Sequence, residues 1–220
     1  HEPVNGQTLQ LFFSIALLAF LAIVGCAVPD LGDSETLEEA KGKAIPLDSL
    51  DRKLMHELIV LYVDQEEEPY TGWVREDHPN KTLKTLGFLK KGQKFGLWFH
   101  WHENQTMRLA SEWHQDRLQG SYKEWYDNNR TKVVGQTFDG EVNGEWKGYY
   151  RNGSINSHSQ TQMGKHEWMK VWTPDGSPCP LSKVENGNGA YWEYDEDGSR
   201  ILRRVFSQGV ERKAQAQSGK

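Results

Sequence analysis

The stretch from Gly144 to Gly153, GEWKGYYRNG, decides the fold of this 220-residue chain. It places three glycines and three aromatic residues within ten positions. Glycine favours tight turns and large rings favour buried positions, so the combination raises the question of what structure needs both. The same pattern recurs along the chain, which indicates that Gly144–Gly153 belongs to an internal repeat.

Six copies of the repeat run from about residue 69 to residue 212. We number the positions of each copy from its first residue, position 0, which is Gly in five copies and Glu in one. The position-0 residues are Gly72, Gly96, Gly120, Gly144, Glu167 and Gly189. Position 2 is aromatic in four copies, at Trp98, Tyr122, Trp146 and Tyr191. Position 5 is aromatic in five copies, at Trp101, Trp125, Tyr149, Trp172 and Tyr194.

Position 8 is Asn or Asp in every copy, and Gly follows it in the last three, at Asn152-Gly153, Asp175-Gly176 and Asp197-Gly198. These dipeptides are strong hairpin signals because such a turn needs positive φ at both central residues. Strand-like segments such as KVVGQTF, residues 132–138, follow the turns. The repeat therefore predicts an all-β fold, an elongated single antiparallel β-meander of about six hairpins.

The rings of the repeat leave one question open. Positions 2 and 5 have opposite parity, so a regular strand would place them on opposite faces of the sheet. Either a β-bulge brings them to one face, or both faces carry rings.

The spacing G-x-[WY]-x-x-[WY]-x-x-[ND]-G resembles the bacterial variant of the MORN repeat, which is found in YwqK-type antitoxin proteins. The lead-in LIVLYVDQEEEPYTG, Leu58 to Gly72, is similar to the opening strand of that family. The resemblance covers residues 56–212 and implies a β-repeat domain. This chain departs from the pattern at Glu167, at Asp77 in place of a ring, and in the proline-rich segment 173–183.

The N-terminal segment predicts export. Leu11 to Gly25 is a run of fifteen uncharged residues, which matches the apolar core of a secretory signal. It ends in Ile-Val-Gly-Cys, which resembles the lipobox of bacterial lipoproteins and implies lipidation of Cys26. An uncleaved anchor helix and a plain cleaved signal remain alternatives. The chain begins with His1 and has no Lys or Arg before residue 26, so we interpret His1 as a truncated start.

Charge is distributed unevenly along the chain. Residues 30–68 carry 4 Lys and Arg against 12 Asp and Glu, and residues 69–220 carry 22 against 18. The acidic part predicts a flexible linker, with an arm folded over the sheet as the alternative. The weak positive charge of the repeats does not indicate nucleic-acid binding. We therefore divide the chain into a signal or anchor (1–28), an acidic linker (29–55), the repeat domain (56–212) and a disordered tail (213–220).

The sequence contains no recognisable catalytic motif, so we expect neither an enzyme nor a cofactor. His100, His102 and His114 could together hold zinc, but ordinary sheet positions explain them better. Cys179 lies between two prolines and is interpreted as a small apolar residue in a turn.

Two functions remain as hypotheses. The first is an envelope-tethered binding or scaffold module for a protein or a glycan, attached to the membrane by a lipid or a helix and exposed on the non-cytoplasmic side. The second, which the family resemblance implies, is a toxin-neutralising protein. Exposed Trp and Tyr are common anchors at interfaces. The candidate binding residues are Trp98, Trp101, Trp125, Trp146, Tyr149, Trp172 and Tyr194.

Overall fold

The computed structural model describes residues 29–55 and 59–212 and confirms the all-β meander. The candidate lipidation site Cys26, the rest of segment 1–28 and the tail 213–220 lie outside the described residues. One helix, α1 (Ser34–Lys43), and a 3₁₀ turn (Leu47–Ser49) precede the repeats. The strands are β1 (Ile45–Pro46), β2 (Asp51–Met55), β3 (Ile59–Val63), β4 (Gly72–Asp77), β5 (Leu83–Lys90), β6 (Gln93–Trp101), β7 (Met107–His114), β8 (Arg117–Trp125), β9 (Thr131–Phe138), β10 (Glu141–Val142), β11 (Gly144–Tyr149), β12 (Ile155–Gln162), β13 (Lys165–Val171), β14 (Lys183–Glu185), β15 (Asn188–Tyr194), β16 (Arg200–Ser207) and β17 (Val210–Arg212).

The repeats form one sheet in which each strand pairs with the next along the chain. The order runs β1-β4-β5-β6-β7-β8-β9-β11-β12-β13-β14-β15-β16-β17, and the short β10 pairs with β9. The predicted opening strand lies elsewhere, because β3 pairs with β2 in a separate two-stranded sheet. The fifth hairpin is the least regular, as its prolines suggested, and its second strand β14 has only three residues.

The turns after position 8 differ from the expected geometry. Gly153 has φ of 92°, but Asn152 is not among the residues with positive φ, so only one central residue needs the left-handed region. Gly153 N donates to the Tyr150 carbonyl and Tyr150 N donates to the Ser154 carbonyl, both at 2.9 Å. Two positive-φ residues in sequence occur at the other end of the hairpins, as at Asp139 (51°) and Gly140 (87°).

The rings at positions 2 and 5 lie on opposite faces of the sheet, so both faces carry rings. A register shift does fall between positions 4 and 5, as at His100 and Trp101. The two rings nevertheless belong to different clusters, since Trp98 packs with Val74 whereas Trp101 packs with Phe99, at 6.0 Å between ring centroids. We call the side of positions 1, 3 and 5 the odd face and the side of position 2 the even face.

Glycine and serine at position 15 explain why the repeat combines rings with small residues. A Cβ atom on Gly87 would lie 2.1 Å from the Trp98 ring, and one on Gly135 would lie 2.0 Å from the Trp146 ring. Ser111, at the same position, is fully buried opposite Trp98. Each of these two indoles therefore packs on a small residue of the neighbouring strand, where Trp98 is buried and Trp146 is half-buried.

The predicted flexible linker is folded in the structure. Asp33 caps α1 by accepting a 2.8 Å hydrogen bond from Thr36 N, and Lys41 pairs with Glu38 on the helix surface at 2.7 Å. Leu31 and Ala40 are buried in one cluster with Trp73, Leu86 and Phe99 on the odd face. Apolar residues among the acidic ones thus find a complementary surface on the first copies, which a reading of composition alone overlooks.

The same N-terminal segment also covers the even face and the sheet edge. Leu50 packs with Val74, Leu89 and Trp98, and Tyr62 joins that cluster. Strand β1 pairs in parallel with β4, the first strand of the repeats. Because repeat arrays need a cap where the stacking begins, we interpret residues 31–50 as that cap.

Side chains at position 8 connect neighbouring turns. Asn152 accepts through Oδ1 from Ser154 N at 2.8 Å and donates through Nδ2 to the Pro174 carbonyl, in the next copy, at 2.9 Å. Asn104 and Asn128 make the same pair of bonds. Asp175 keeps the acceptor, which bonds Ser177 N, but a carboxylate has no donor to continue the series.

Replacing Asn152 with aspartate is therefore expected to cost about 1 kcal/mol of stability, because the donor to Pro174 is lost while the turn bond is kept. The matched control is Asn80→Asp, since within the described chain the Asn80 amide acts only through Oδ1, toward Thr82. Urea unfolding of both variants measures the difference. Equal losses would contradict a role for the Nδ2 bonds.

Candidate binding face

The odd face is open beyond the first two copies. Helix α1 and Leu31 cover it over β4 to β7, where Trp101 packs at the margin of their cluster. From β8 to β13, its side chains are half-buried or exposed. The open part of the odd face comprises Ser121, Lys123, Trp125, Val134, Gln136, Glu145, Lys147, Tyr149, His158, Gln160, Trp168, Lys170 and Trp172.

Three lysines form a row across this open part. Lys123, Lys147 and Lys170 all occupy position 3 of their copies. Cross-strand pairing places them in register, with Val134 between the first two and His158 between the last two. Adjacent lysines are thus two strands apart, about 10 Å at the usual strand spacing.

Aromatic rings flank the lysines on both sides. Lys123 Nζ lies 4.8 Å from the centroid of the Trp125 ring, and Lys170 Nζ lies 5.9 Å from that of Trp168. The Trp168 ring packs edge-to-face against His158, with centroids 4.8 Å apart. Both indoles are half-buried beside the charges.

One carboxylate lies within the lysine row. Glu145 is exposed and accepts from Lys147 Nζ at 3.0 Å through one oxygen and from His158 Nε2 at 2.6 Å through the other. The hydrogen bond from Lys147, followed by that from His158, lowers the pKa of the Glu145 carboxyl. Glu145 therefore stays ionised and partly neutralises the middle of the row.

The seven candidate aromatic residues fall into four groups. Trp98 and Trp146 lie on the even face against Gly87 and Gly135; Trp98 is only 1% exposed and serves the core, whereas Trp146 is half-buried. Trp101 belongs to the capped end, and Trp125, Tyr149 and Trp172 lie on the open part. Tyr194 packs at the C-terminal cluster, where its hydroxyl lies 2.8 Å from Cys179 Sγ.

Sequence reasoning missed the charged half of the face. It selected rings and overlooked Lys123, Lys147 and Lys170, although their shared position 3 was visible in the repeat alignment. It also overlooked Trp168, because position 1 is not aromatic in the neighbouring copies. The pairing of Glu145 with His158 joins adjacent strands and could be found only in the folded chain.

The histidines considered for zinc do not converge. His100 Nδ1 bonds Thr85 Oγ1 at 3.0 Å, His102 Nε2 bonds the Trp125 carbonyl at 3.0 Å, and the His114 ring packs on Phe95. Among the described residues there is no group of three or more His, Cys, Asp or Glu side chains arranged to hold a metal ion.

Cys179 is a buried residue of the C-terminal cluster. Its Sγ atom lies near Tyr194 and accepts a hydrogen bond from Ser182 Oγ at 3.2 Å. Burial raises the pKa of the thiol, but the hydrogen bonds from Ser182 and Tyr194 outweigh burial and lower it. No histidine contacts this sulfur within the described ranges, so the contacts favour a packing role over a nucleophilic one.

A cleft of about 810 Å³ lies at the hairpin ends beside Trp168. Gln162, Lys165, His166 and Glu185 are among its lining residues. The His166 ring packs on Phe206, and its buried Nδ1 has no hydrogen-bond partner. Burial lowers the pKa of this imidazole, so it is neutral at physiological pH.

No family model and no curated protein matches this chain. Within residues 29–55 and 59–212, none of the helical structure has the length and apolar character that crossing a membrane requires.

Proposed function

We propose that this protein is a non-catalytic binding module that presents the open part of its odd face to a partner polymer, a glycan or a protein. The supporting observation is the set of half-buried rings of Trp125, Tyr149, Trp168 and Trp172 on the part of the odd face that lies outside the cluster of the N-terminal cap. Rings held at fixed positions on strands lose little entropy on binding, which makes them effective anchors.

The cap gives this proposal a structural basis. Residues 31–50 pack on the apolar clusters of the first copies on both faces. These clusters include residues of β4 to β7 but none of β8. The rings of the open part of the odd face belong to neither of these clusters. Their side chains are therefore available to a ligand at the same time as the even face holds the sheet together.

The proposed location is the cell envelope, on the non-cytoplasmic side. This part rests on the sequence alone, on the apolar run Leu11–Gly25 followed by Cys26, which we propose as a lipidation site. The classification as a bacterial MORN-type repeat protein is likewise a proposal, which the six registered copies support.

The test compares retention of the full chain by envelope fractions with that of a Trp125→Ala/Tyr149→Ala double variant. Wild type is expected to be retained and the variant to lose about tenfold or more, since interface rings contribute about 1–2 kcal/mol each when truncated. Leu202→Ala, an exposed apolar residue of the last hairpin, is the matched control and should be retained like wild type.

Treatment of the envelope fraction identifies the kind of partner. Retention that survives protease but not periodate indicates a glycan, and the reverse indicates a protein, as the toxin-neutralising alternative requires. If the double variant is retained as well as wild type on every fraction, the open part of the odd face is not the binding surface.

A further inference from the structure

We propose that the ligand of the open part of the odd face is an extended acidic polysaccharide that carries one carboxylate on every second sugar. This inference rests on the proposed function and specifies its ligand. The observation behind it is the in-register row of Lys123, Lys147 and Lys170, alternating with Val134 and His158.

The period of the row matches a repeating ligand. Successive lysines are separated by two strands, about 10 Å, which is comparable with the length of one disaccharide unit in an extended β-linked chain. A polymer lying across the strands would therefore present an equivalent charge to each lysine in turn. The repeat of the protein and the repeat of the ligand would share one period.

The residues around the lysines fit sugars. The negative π-face of an indole attracts the slightly positive C–H groups on the flat side of a pyranose ring, and the half-buried indoles of Trp125 and Trp168 lie next to Lys123 and Lys170. Gln136 and Gln160 lie on the same face and offer amides to hydroxyl groups. A row that combines stacking, hydrogen bonding and charge is suited to an acidic sugar chain.

A lipid surface fits this face less well. Three lysines form one line, whereas an anionic bilayer attracts a broad cluster of basic residues. Several exposed large apolar side chains of the described repeats also lie elsewhere. Ile201, Leu202, Val205 and Val210 are all on the last hairpins.

Glu145 provides the sharpest test of the charge argument. Its carboxylate pairs with Lys147 and lies where an acidic sugar would approach, so it competes with the ligand. Glu145→Gln is expected to raise the affinity for an alternating acidic polysaccharide by about 2–5-fold, the usual size of an exposed charge interaction. Glu145 is exposed, so this substitution leaves the fold intact.

The complementary variant removes the outer charges. Lys123→Gln/Lys170→Gln is expected to weaken binding by about tenfold at low ionic strength and by less at high salt. The matched control, Lys43→Gln/Lys53→Gln, removes the same charge from α1 and β2, outside the open part of the odd face, and should bind like wild type.

Calorimetry on the full chain uses three probes: hyaluronan oligosaccharides, which alternate acidic and neutral sugars, neutral chitin oligosaccharides of equal length, and phosphatidylglycerol vesicles. Preferential binding of hyaluronan, strengthened by Glu145→Gln, supports the proposal. Equal binding of chitin, sensitive to Trp125→Ala, overturns the acidic ligand while leaving the binding face in place. Vesicle binding that depends on the lysines overturns it in favour of a membrane. If no probe depends on the lysines or on Trp125, the proposal fails, and the envelope retention test decides the face itself.

Discussion

Replacing Trp98 with alanine is expected to lower the free energy of unfolding by about 3–5 kcal/mol. The indole is 1% exposed and packs with Leu50, Val74 and Leu89. Its truncation leaves a cavity over Gly87 that no rigid strand can fill. It also removes the contact with Lys94, whose Nζ lies 4.6 Å from the ring centroid.

The matched control is Trp125→Ala, which truncates the same side chain on the open part of the odd face. The Trp125 ring is half-buried, so less of its area leaves water on folding. Its truncation is expected to lower the free energy of unfolding by less than about 1.5 kcal/mol. Urea unfolding with a comparison of m values measures both. Similar losses at the two sites would contradict the division into a structural and an open face.

A double-mutant cycle isolates the ring-on-glycine contact. Gly87→Ala alone is expected to destabilise by about 1–3 kcal/mol, because its new Cβ would meet the Trp98 ring. In the Trp98→Ala background the same change should cost much less, since the indole is gone. Additive losses would show that Trp98 does not limit the space at Gly87.

Acidification is expected to destabilise the capped end of the sheet through His100. The pKa of this imidazole is lowered from 6.5 to about 4. Burial is the largest cause, and the positive charge of the nearby Arg108 is the second. Lys94 and Lys84 act in the same direction, whereas Glu76 opposes them. The folded state therefore holds His100 neutral. Thr85 donates to Glu76 at 2.8 Å, and its Oγ1 lies 3.0 Å from His100 Nδ1.

The direction of the effect follows from linkage. The unfolded chain takes up the proton near the ordinary histidine pKa and the folded chain does so only near pH 4, so stability is lost as pH falls through this window. The loss is at most about 3 kcal/mol. His166 contributes in the same direction, because burial also lowers its pKa.

The variant His100→Gln separates the two histidines. Glutamine can donate to Thr85 but does not titrate, and His166 is present in both proteins. Between about pH 7.5 and pH 4.5, wild type is expected to lose about 2–3 kcal/mol more than the variant in denaturant unfolding. Identical pH dependence in the two proteins would show that His100 is not responsible.

The candidate site was only partly predictable. Trp125, Tyr149 and Trp172 follow from the repeat, because position 5 is aromatic in copy after copy. That Trp98 and Trp146 pack on the even face does not follow, since rings at positions 2 and 5 look alike in the sequence. The deciding fact is the glycine at position 15 of the preceding copy. Gly87 lies against the Trp98 ring and Gly135 against the Trp146 ring, and these contacts form only once the strands pair.

The sequence by itself determined the repeat, the antiparallel meander and most of its turns, because glycine and asparagine impose local backbone geometry whose effect does not depend on distant residues. Only the tertiary structure decided which face stays open. Leu31, Ala40 and Leu50 lie in a segment whose composition predicts a flexible linker, yet they pack on both faces of the first copies. Burial of this kind depends on shape and register between segments far apart in the chain, and neither is encoded in local composition.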